Sequence, residues 1–599
     1  MAVQSIRPSQ FIYRFGPGAI VETVDGPQLI LSYNNSHLFK DRDPGGIVYL
    51  SEFEIPEPRL NPSLVRSIIG IPPPSAGIFV FALPTNAHLG MAENQVVYRT
   101  IPFPRWAHCE RHQIVYYPDE TTLLGCPNCP RQGNKDDLAT KANREAVRFV
   151  LACSNGHLDE VPWRLLVYHK TRDCDSRSYR WKNAGGGLRN VELECLVCGG
   201  LGNFGRAYGA RWPCTGCYPE DLVSSPSRCS KSAQITQRLA VNLRMAETIQ
   251  VLTIPPTDGP VHRILLTTRL YHDTIIHPVT SKKELMATAR SFLNNGMMDG
   301  ATYKRLDSQD EGPILEAIKD LDSLRHSQTG STMSELKAIE LRELQKAGKY
   351  GHSRNKDPER YFEVYTSDVR KVTSSNNTTY RVVPIRRLRF VTIQTGYKRI
   401  STSPTESRSV ETSIIDRTGR LGFAGMELFG EGLFIELEGW VGQFPRPGPI
   451  SSSWSTDPSR DPLVNWAEFV WWHTFSHRLI NSLAIDSGYS ATSIRERVYP
   501  RLLSQSNSAS GGVLLYTSQP ASDGSLGGLV SQGSRFSQIL DTALYSLDNC
   551  SNDPLCIDSR FEPGKANGAA CYACELVSET ACEAFNRSLD RNILLENPP

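Results

Sequence analysis

The chain has 599 residues, 39% of them hydrophobic and 21% charged, with 65 Lys and Arg against 63 Asp and Glu for a formal charge of +2. That is the composition of a multidomain globular protein with a real core, and its near-neutrality excludes attachment to nucleic acid or membrane through an overall field. No run approaches the ~20 apolar residues that span a bilayer, and the N-terminal MAVQSIRPSQFIYRFGPGAIVE lacks the apolar stretch of a signal peptide, so a cytoplasmic protein without membrane contact is expected. Residues 1–100 mix short apolar runs with turn-rich stretches such as IPPPSAG and predict an N-terminal β-rich or mixed domain. Residues 101–235 hold ten of the fifteen cysteines and few long periodic segments, which predicts a zinc-binding module with two or more sites. Residues 236–355 read as a helical hairpin region. GPILEAIKDLDSLR places Pro313 in a first turn and Ile314, Leu315, Ile318, Leu321 and Leu324 on one face, and Thr332 with Glu335 has capping-box spacing before LKAIELRELQ. Residues 356–450 turn β-rich in VVPIRRLRFVTI and GLFIELEGW. Residues 451–599 combine the aromatic helix LVNWAEFVWWHTFSHRLINSLAI, the strand GGVLLYTS and the helix SRFSQILDTALYSL, ending in a cysteine cluster: a C-terminal α/β zinc-binding domain. The expected fold class is α+β multidomain, with zinc-ribbon or knuckle modules, a helical hairpin insertion and a C-terminal α/β zinc-stapled domain.

An odd number of cysteines, several in pairs two residues apart, fits a disulfide framework poorly in a reducing compartment and fits metal binding well. Cys109-x2-His112 followed by Cys126-x2-Cys129 has ribbon spacing: each pair chelates from one turn, and two turns complete a tetrahedron of sulfur and nitrogen. Cys195-x2-Cys198 followed by Cys214-x2-Cys217 has the spacing of a four-cysteine site, with Cys229 able to displace one of the last two. Cys153, His157 and Cys174 make either a further site without an evident fourth ligand or buried, hydrogen-bonded side chains. Near the C-terminus, Cys571-x2-Cys574-x7-Cys582 supplies three thiolates, and Cys550 or Cys556 the fourth. Two to three structural zinc ions are expected.

Catalytic signatures are absent. There is no G-x-x-x-x-G-K-[ST], and GGLGNFGRAYG follows a CxxC rather than a strand, so it reads as a ribbon loop. His473 and His477 lie one turn apart on a helix, but HTFSH lacks the glutamate of a zinc protease, and their aromatic neighbours predict core histidines. Asp523 lies in an Asp-Gly turn signal. One local basic stretch, from Arg381 to Arg399, interleaves Arg386, Arg387, Arg389, Lys398 and Arg399 with Phe390 and Tyr397. That pattern suits a single strand with stacked bases, or a solvated strand edge with gatekeeper charges, the reading the residues favour slightly.

SQFIYRFGPGAIVE, RFVLACSNGHLDEVPW, FGEGLFIEL, HTFSHRLI with GYSATSIRERVY, GVLLYTSQPASDGSLGGLV and GAACYACELVSETACEAFNRSLDR together resemble the DrmB family, a component of the bacterial DISARM antiphage system. The C-terminal part also resembles a zinc-binding domain that closes MrfA-type DNA-repair helicases. There a Gly-Cys-Pro-x-Cys element and a later cysteine bind zinc, and Cys571, Cys574 and Cys582 fall on those positions, with Ala570 in place of the glycine. The family reads Cys-x-Gly then Pro-Trp near Cys214, whereas Cys217 intrudes here in CTGCYP, which leaves the fourth ligand between Cys217 and Cys229. The resemblance implies a non-catalytic zinc-containing subunit of an antiviral defence complex. Such a subunit partners a DrmA-like helicase, which hydrolyses the ATP, and helps engage foreign DNA with a single-stranded overhang. The residues alone leave two alternatives: a metal-dependent hydrolase or nuclease using His473, His477 and Asp523, or a scaffold without DNA contact.

Overall fold

The computed structural model describes residues 6–599 apart from 37–40, 43–45, 48–49, 71, 76, 93–94, 119–125, 130–143, 184, 223–227, 255–259, 269, 327–331, 353–361, 401–407, 417–418, 439–444, 457–465, 487, 502–510, 521–527, 546, 563–564 and 579–580. Helices and several separate sheets are mixed along the chain, as expected for an α+β protein. Two compact units emerge, one of residues 1–55, 74–249 and 392–426, the other of 56–73, 250–391 and 427–599. The five expected segments are therefore shared out, and the segment 236–355 changes unit between Ile249 and Gln250. Among the described residues no helix is long and apolar enough to cross a membrane.

The first unit is built from short strands. A six-stranded antiparallel sheet runs in the order Arg144–Ala146, Ala107–Cys109, Ile114–Tyr116, Ser178–Asn183, Val191–Cys195, Leu201–Asn203. A four-stranded sheet follows the order Leu158–Asp159, Phe149–Cys153, Ser232–Gln237, Trp212–Pro213. Strands of two to six residues bury little apolar surface each. Their core gathers Phe149, Leu151, Trp163, Tyr179, Leu193 and Phe204 around Cys153, Cys174 and Cys195. Registers place the thiols: Tyr179 pairs with Cys195 in the larger sheet, whereas in the smaller one Ala233 pairs with Cys153 on one side and Trp212 on the other.

In the second unit the helices Pro260–Thr267, Leu270–Ile276, Lys282–Asn294, Gly300–Asp307 and Glu311–His326 enclose a core of their own, including Leu265, Leu285, Leu306, Ile314 and Leu321. The helix Met333–Tyr350 starts on Thr332, whose hydroxyl accepts from Glu335 N, as the capping spacing predicts. It buries elsewhere than Glu311–His326: Glu340 holds Arg497, and Lys337 donates to Val498 O. The helix Ala467–Asp486 is buried on every side from Ala467 to Ile480, a pattern that only a core helix tolerates. Trp471, Trp472, Phe475, Leu479 and Leu483 pack there against Leu433, Ile435, Val513, Leu515 and the helix Phe536–Tyr545.

Polar groups carried inward by that helix are mostly satisfied, Arg478 by the carbonyls of Ala543 and Cys574 at 3.2 and 3.0 Å. Glu468 is the strained member. Its Oε1 accepts from Arg501 N at 3.0 Å, and burial pushes its carboxyl up to about 8 from the usual 4.5. The folded protein thus holds a proton that the unfolded chain releases, so the contribution of Glu468 is greatest below pH ~4.5 and is lost as pH rises through about 8. Glu468→Gln should gain stability over the parent from pH 6 to pH 9; urea midpoints at the two pH values check this, and equal midpoint differences at both would refute it.

Candidate metal centres

Cys109 ends the strand Ala107–Cys109, and the tight turn to Ile114–Tyr116, with Gln113 at φ 53°, brings His112 back over it. His112 Nδ1 lies 3.5, 3.6 and 3.4 Å from the sulfurs of Cys109, Cys126 and Cys129, and Cys109 and Cys129 are 3.8 Å apart. Zinc bonded to sulfur at ~2.3 Å and nitrogen at ~2.0 Å has tetrahedral edges of roughly 3.5–3.8 Å, so the donors already stand where such an ion needs them. Without a counter-charge, burial pushes the Cys126 thiol up to about 12. A divalent cation inverts that preference and makes the thiolate the stable form.

The second ribbon is assembled differently from its spacing. Cys195 and Cys198 form a turn in which Cys198 N donates to Cys195 Sγ at 3.5 Å. Their companions are Cys174, 3.6 Å from Cys195, and His169, whose Nδ1 is 3.3 Å from Cys198. The other ring nitrogen of His169 lies 3.2 Å from Arg164 O, the carbonyl contact that orients a ligating histidine. Cys214 belongs to another set, with Cys153 at 3.4 Å, His157 Nδ1 at 3.4 Å, and Cys229. The turn from Cys153 to His157 requires Gly156 at φ 86°, where a Cβ would also lie 2.1 Å from Val410. Cys217 joins neither set: its carbonyl accepts from Leu158 N at 3.0 Å and its thiol faces Thr215 and Asp159.

At the C-terminus both upstream cysteines are used. Cys550 lies 3.4 Å from Cys571, Cys556 lies 3.7 Å from Cys574, and Cys571 and Cys574 are 3.7 Å apart. Cys571 N donates to Cys574 Sγ and Asn552 N to Cys550 Sγ, each at 3.4 Å. Cys582 is elsewhere, 3.0 Å from His473 Nε2. Asp523 lies outside the described residues. The structure thus brings together three mixed sets, each of three cysteines and a histidine, and one all-cysteine set of four, with no donor position left over in any of them. His169 escaped sequence reasoning; its only signal is the His-x4-Cys spacing to Cys174, which is weak without the fold.

The basic stretch lies in the strand Thr379–Lys398 and just beyond it. Arg389 is buried, its guanidinium held by Glu57 at 3.2 Å, Pro56 O and Thr253 at 3.0 Å, and by Glu427. Arg399 is fully buried on Glu220 at 3.0 Å and the carbonyls of Gly156 and Leu243. Lys398 pairs with Glu247 at 2.8 Å, Arg387 lies 4.8 Å over the Phe429 ring, and Arg386 pairs with Asp368 at 2.6 Å over Tyr365. Phe390 and Tyr397 are buried. Arg386 alone of these five keeps a side chain about half exposed (46%).

Residues 7–245, which contain the three mixed sets, match a family described as a domain of unknown function, DUF8724, and residues 475–575, which contain the all-cysteine set, match the MrfA Zn-binding domain. The DISARM protein DrmB of Bacillus paralicheniformis is 28% identical over 532 residues, 83% of this chain and 88% of that one. The resemblance to DrmB therefore runs through most of the chain. A crystal structure of the DUF1998 helicase MrfA bound to DNA aligns at 11% identity and a TM-score of 0.18, covering 31% of this chain and 20% of that one.

Two outcomes follow from this geometry. Cys229→Ser should lose one equivalent of zinc while Cys217→Ser keeps the parental content, read by elemental analysis of the purified chains; the reverse result would reassign the site. Arg399→Ala, which strands Glu220 in the core, should cost about 3–5 kcal/mol in denaturant unfolding; a loss under ~1 kcal/mol would mean that the arginine is not a structural partner.

Proposed function

We propose that this chain is a zinc-containing, non-catalytic subunit of a DISARM-type antiviral defence complex, working beside a DrmA-like helicase on foreign DNA with a single-stranded overhang. The observation that carries the reading is the 28% identity to DrmB over 83% of the chain, joined to a match to the MrfA Zn-binding domain around the all-cysteine set. The role assigned to the metal is structural. Four sets of four sulfur or imidazole donors would each hold zinc closed, with no position for water or substrate. In the first unit, strands of two to six residues need such cross-links to hold their turns. The number of ions in this reading, four in these sets, exceeds the two to three expected from spacing.

The competing hydrolase reading needs His473 and His477 open to substrate. Both are fully buried, which favours the non-catalytic reading. ATP turnover is assigned to the helicase, because the sequence carries no phosphate loop. Any DNA contact through the Arg381–Arg399 stretch is assigned to Arg386, which pairs with Asp368 but stays about half exposed, with Arg387 beside it, since Arg389 and Arg399 are buried on their carboxylates.

Co-expression with a DrmA-like helicase should yield a stable complex that binds a duplex with a 5′ or 3′ overhang, while the isolated chain shows no ATP turnover. Replacing Arg386 and Arg387 by serine should lower the salt slope of binding by about 0.7 for each phosphate no longer neutralised, with zinc content unchanged. An unchanged slope in that complex would place the DNA on the helicase alone, and failure of the two chains to co-purify would overturn the partnership.

A further inference from the structure

His473, His477, Glu496 and Cys582 meet at one point inside the second unit, apart from the all-cysteine set. The histidines come from consecutive turns of the helix Ala467–Asp486, Glu496 from the strand Ile494–Tyr499, and Cys582 from the C-terminal loop. All are buried: His473 and His477 have no exposed surface, and Glu496 and Cys582 have 2% and 5%. The MrfA Zn-binding match covers His477 and Glu496 but includes neither His473 nor Cys582.

The hydrogen bonds fix how the rings point. His473 Nδ1 lies 3.2 Å from Ser588 O, and His477 Nδ1 lies 2.6 Å from Glu575 O. A carbonyl oxygen only accepts, so both Nδ1 atoms carry a proton and a neutral ring has its lone pair on Nε2. Both lone pairs then face other lone pairs. His473 Nε2 is 2.8 Å from Glu496 Oε1 and 3.0 Å from Cys582 Sγ, and His477 Nε2 is 3.2 Å from the same Oε1. Protons relieve this either by making imidazoliums, whose ring centres are 4.6 Å apart in a buried core, or by turning a Cys582 S–H or a Glu496 O–H toward Nε2. One divalent cation relieves it in a single step. It accepts all four lone pairs, and with a carboxylate, a thiolate and two neutral imidazoles the centre carries no net charge. These three separations must open by no more than about half an ångström to reach the ~3.3–3.6 Å edges of a zinc tetrahedron.

Each donor is also supported from behind, as metal ligands are. The carbonyls of Ser588 and Glu575 orient the two rings, the Ser476 hydroxyl donates to the second oxygen of Glu496, and Asn586 N donates to Cys582 Sγ at 3.1 Å. We propose that His473, His477, Glu496 and Cys582 form a fifth metal centre, a closed site of two nitrogens, one oxygen and one sulfur for zinc that ties the central helix, a sheet strand and the C-terminal loop together. It goes beyond the defence-subunit reading and does not depend on it.

The test uses the full chain. Elemental analysis should give five zinc ions, and a zinc-edge anomalous map should place one of them between His473 Nε2 and Cys582 Sγ. Glu496→Gln and Cys582→Ser should each fall to four, with the anomalous peaks of the mixed and all-cysteine sets retained. If either variant does not fold, the parental map still decides. A parental map with those four peaks and none here overturns the proposal, as does a folded variant that keeps five. Whether the chain co-purifies with a helicase is read separately and changes none of these outcomes.

Discussion

A buried thiol stays protonated unless a cation stands beside it, and this chain buries the thiols of Cys109, Cys153 and Cys195 at the ends of short strands and others in turns. Burial pushes Cys214 up to about 12, and Cys556 likewise, so neither ionises inside the fold alone. Four donors sharing one divalent charge make the thiolate the stable form at these positions. Ordinary packing is thin where these sets lie: the cluster around Cys109 and Cys126 otherwise holds only Ala107, Ile114 and Tyr116 as buried members among the described residues. The turns of the first unit, from Gln113 to Gly156 and Gly199, are shaped for presenting ligands rather than for burying side chains. The long aromatic helix of the second unit, by contrast, buries apolar side chains along its length, beside the two histidines of the proposed fifth centre.

The mixed fold class and the chelating turns were legible in the sequence for the same reason: both are local. A capping residue such as Thr332, a periodic face such as Ile314 to Leu321, or a pair separated by two residues such as Cys126 and Cys129 is settled within a turn or two of chain. Which turns share an ion is decided by sheet pairing, and spacing does not report that. Cys195 and Cys214 look like halves of one site. Yet Cys195 pairs with Tyr179 in one sheet, while Cys214 follows Trp212, which reaches Cys153 across Ala233 in another.

The basic strand shows the same limit in electrostatic form. Its alternation was visible, but the acids that neutralise it lie outside the stretch, from Asp368, 18 residues from Arg386, to Glu57, 332 residues from Arg389. Burial of Phe390 and Tyr397 on this strand likewise depends on partners that no window of sequence contains. The histidines of HTFSH were legible as core residues. What they face was not, because Glu496 and Cys582 arrive from a strand and a loop with no motif of their own.

The ligands of the two middle sets are nested. Cys153 and His157 come first, all four of His169, Cys174, Cys195 and Cys198 follow, and only then do Cys214 and Cys229 close the outer set. As the chain leaves the ribosome, the inner loop of about thirty residues is complete while the outer one still lacks two donors, and the shorter loop is also the less costly to close. Yet Cys195-x2-Cys198 and Cys214-x2-Cys217 offer the same ion a ready, wrongly paired tetrahedron once Cys217 has emerged. Order of synthesis therefore completes the inner set before Cys217, the competing donor, has emerged.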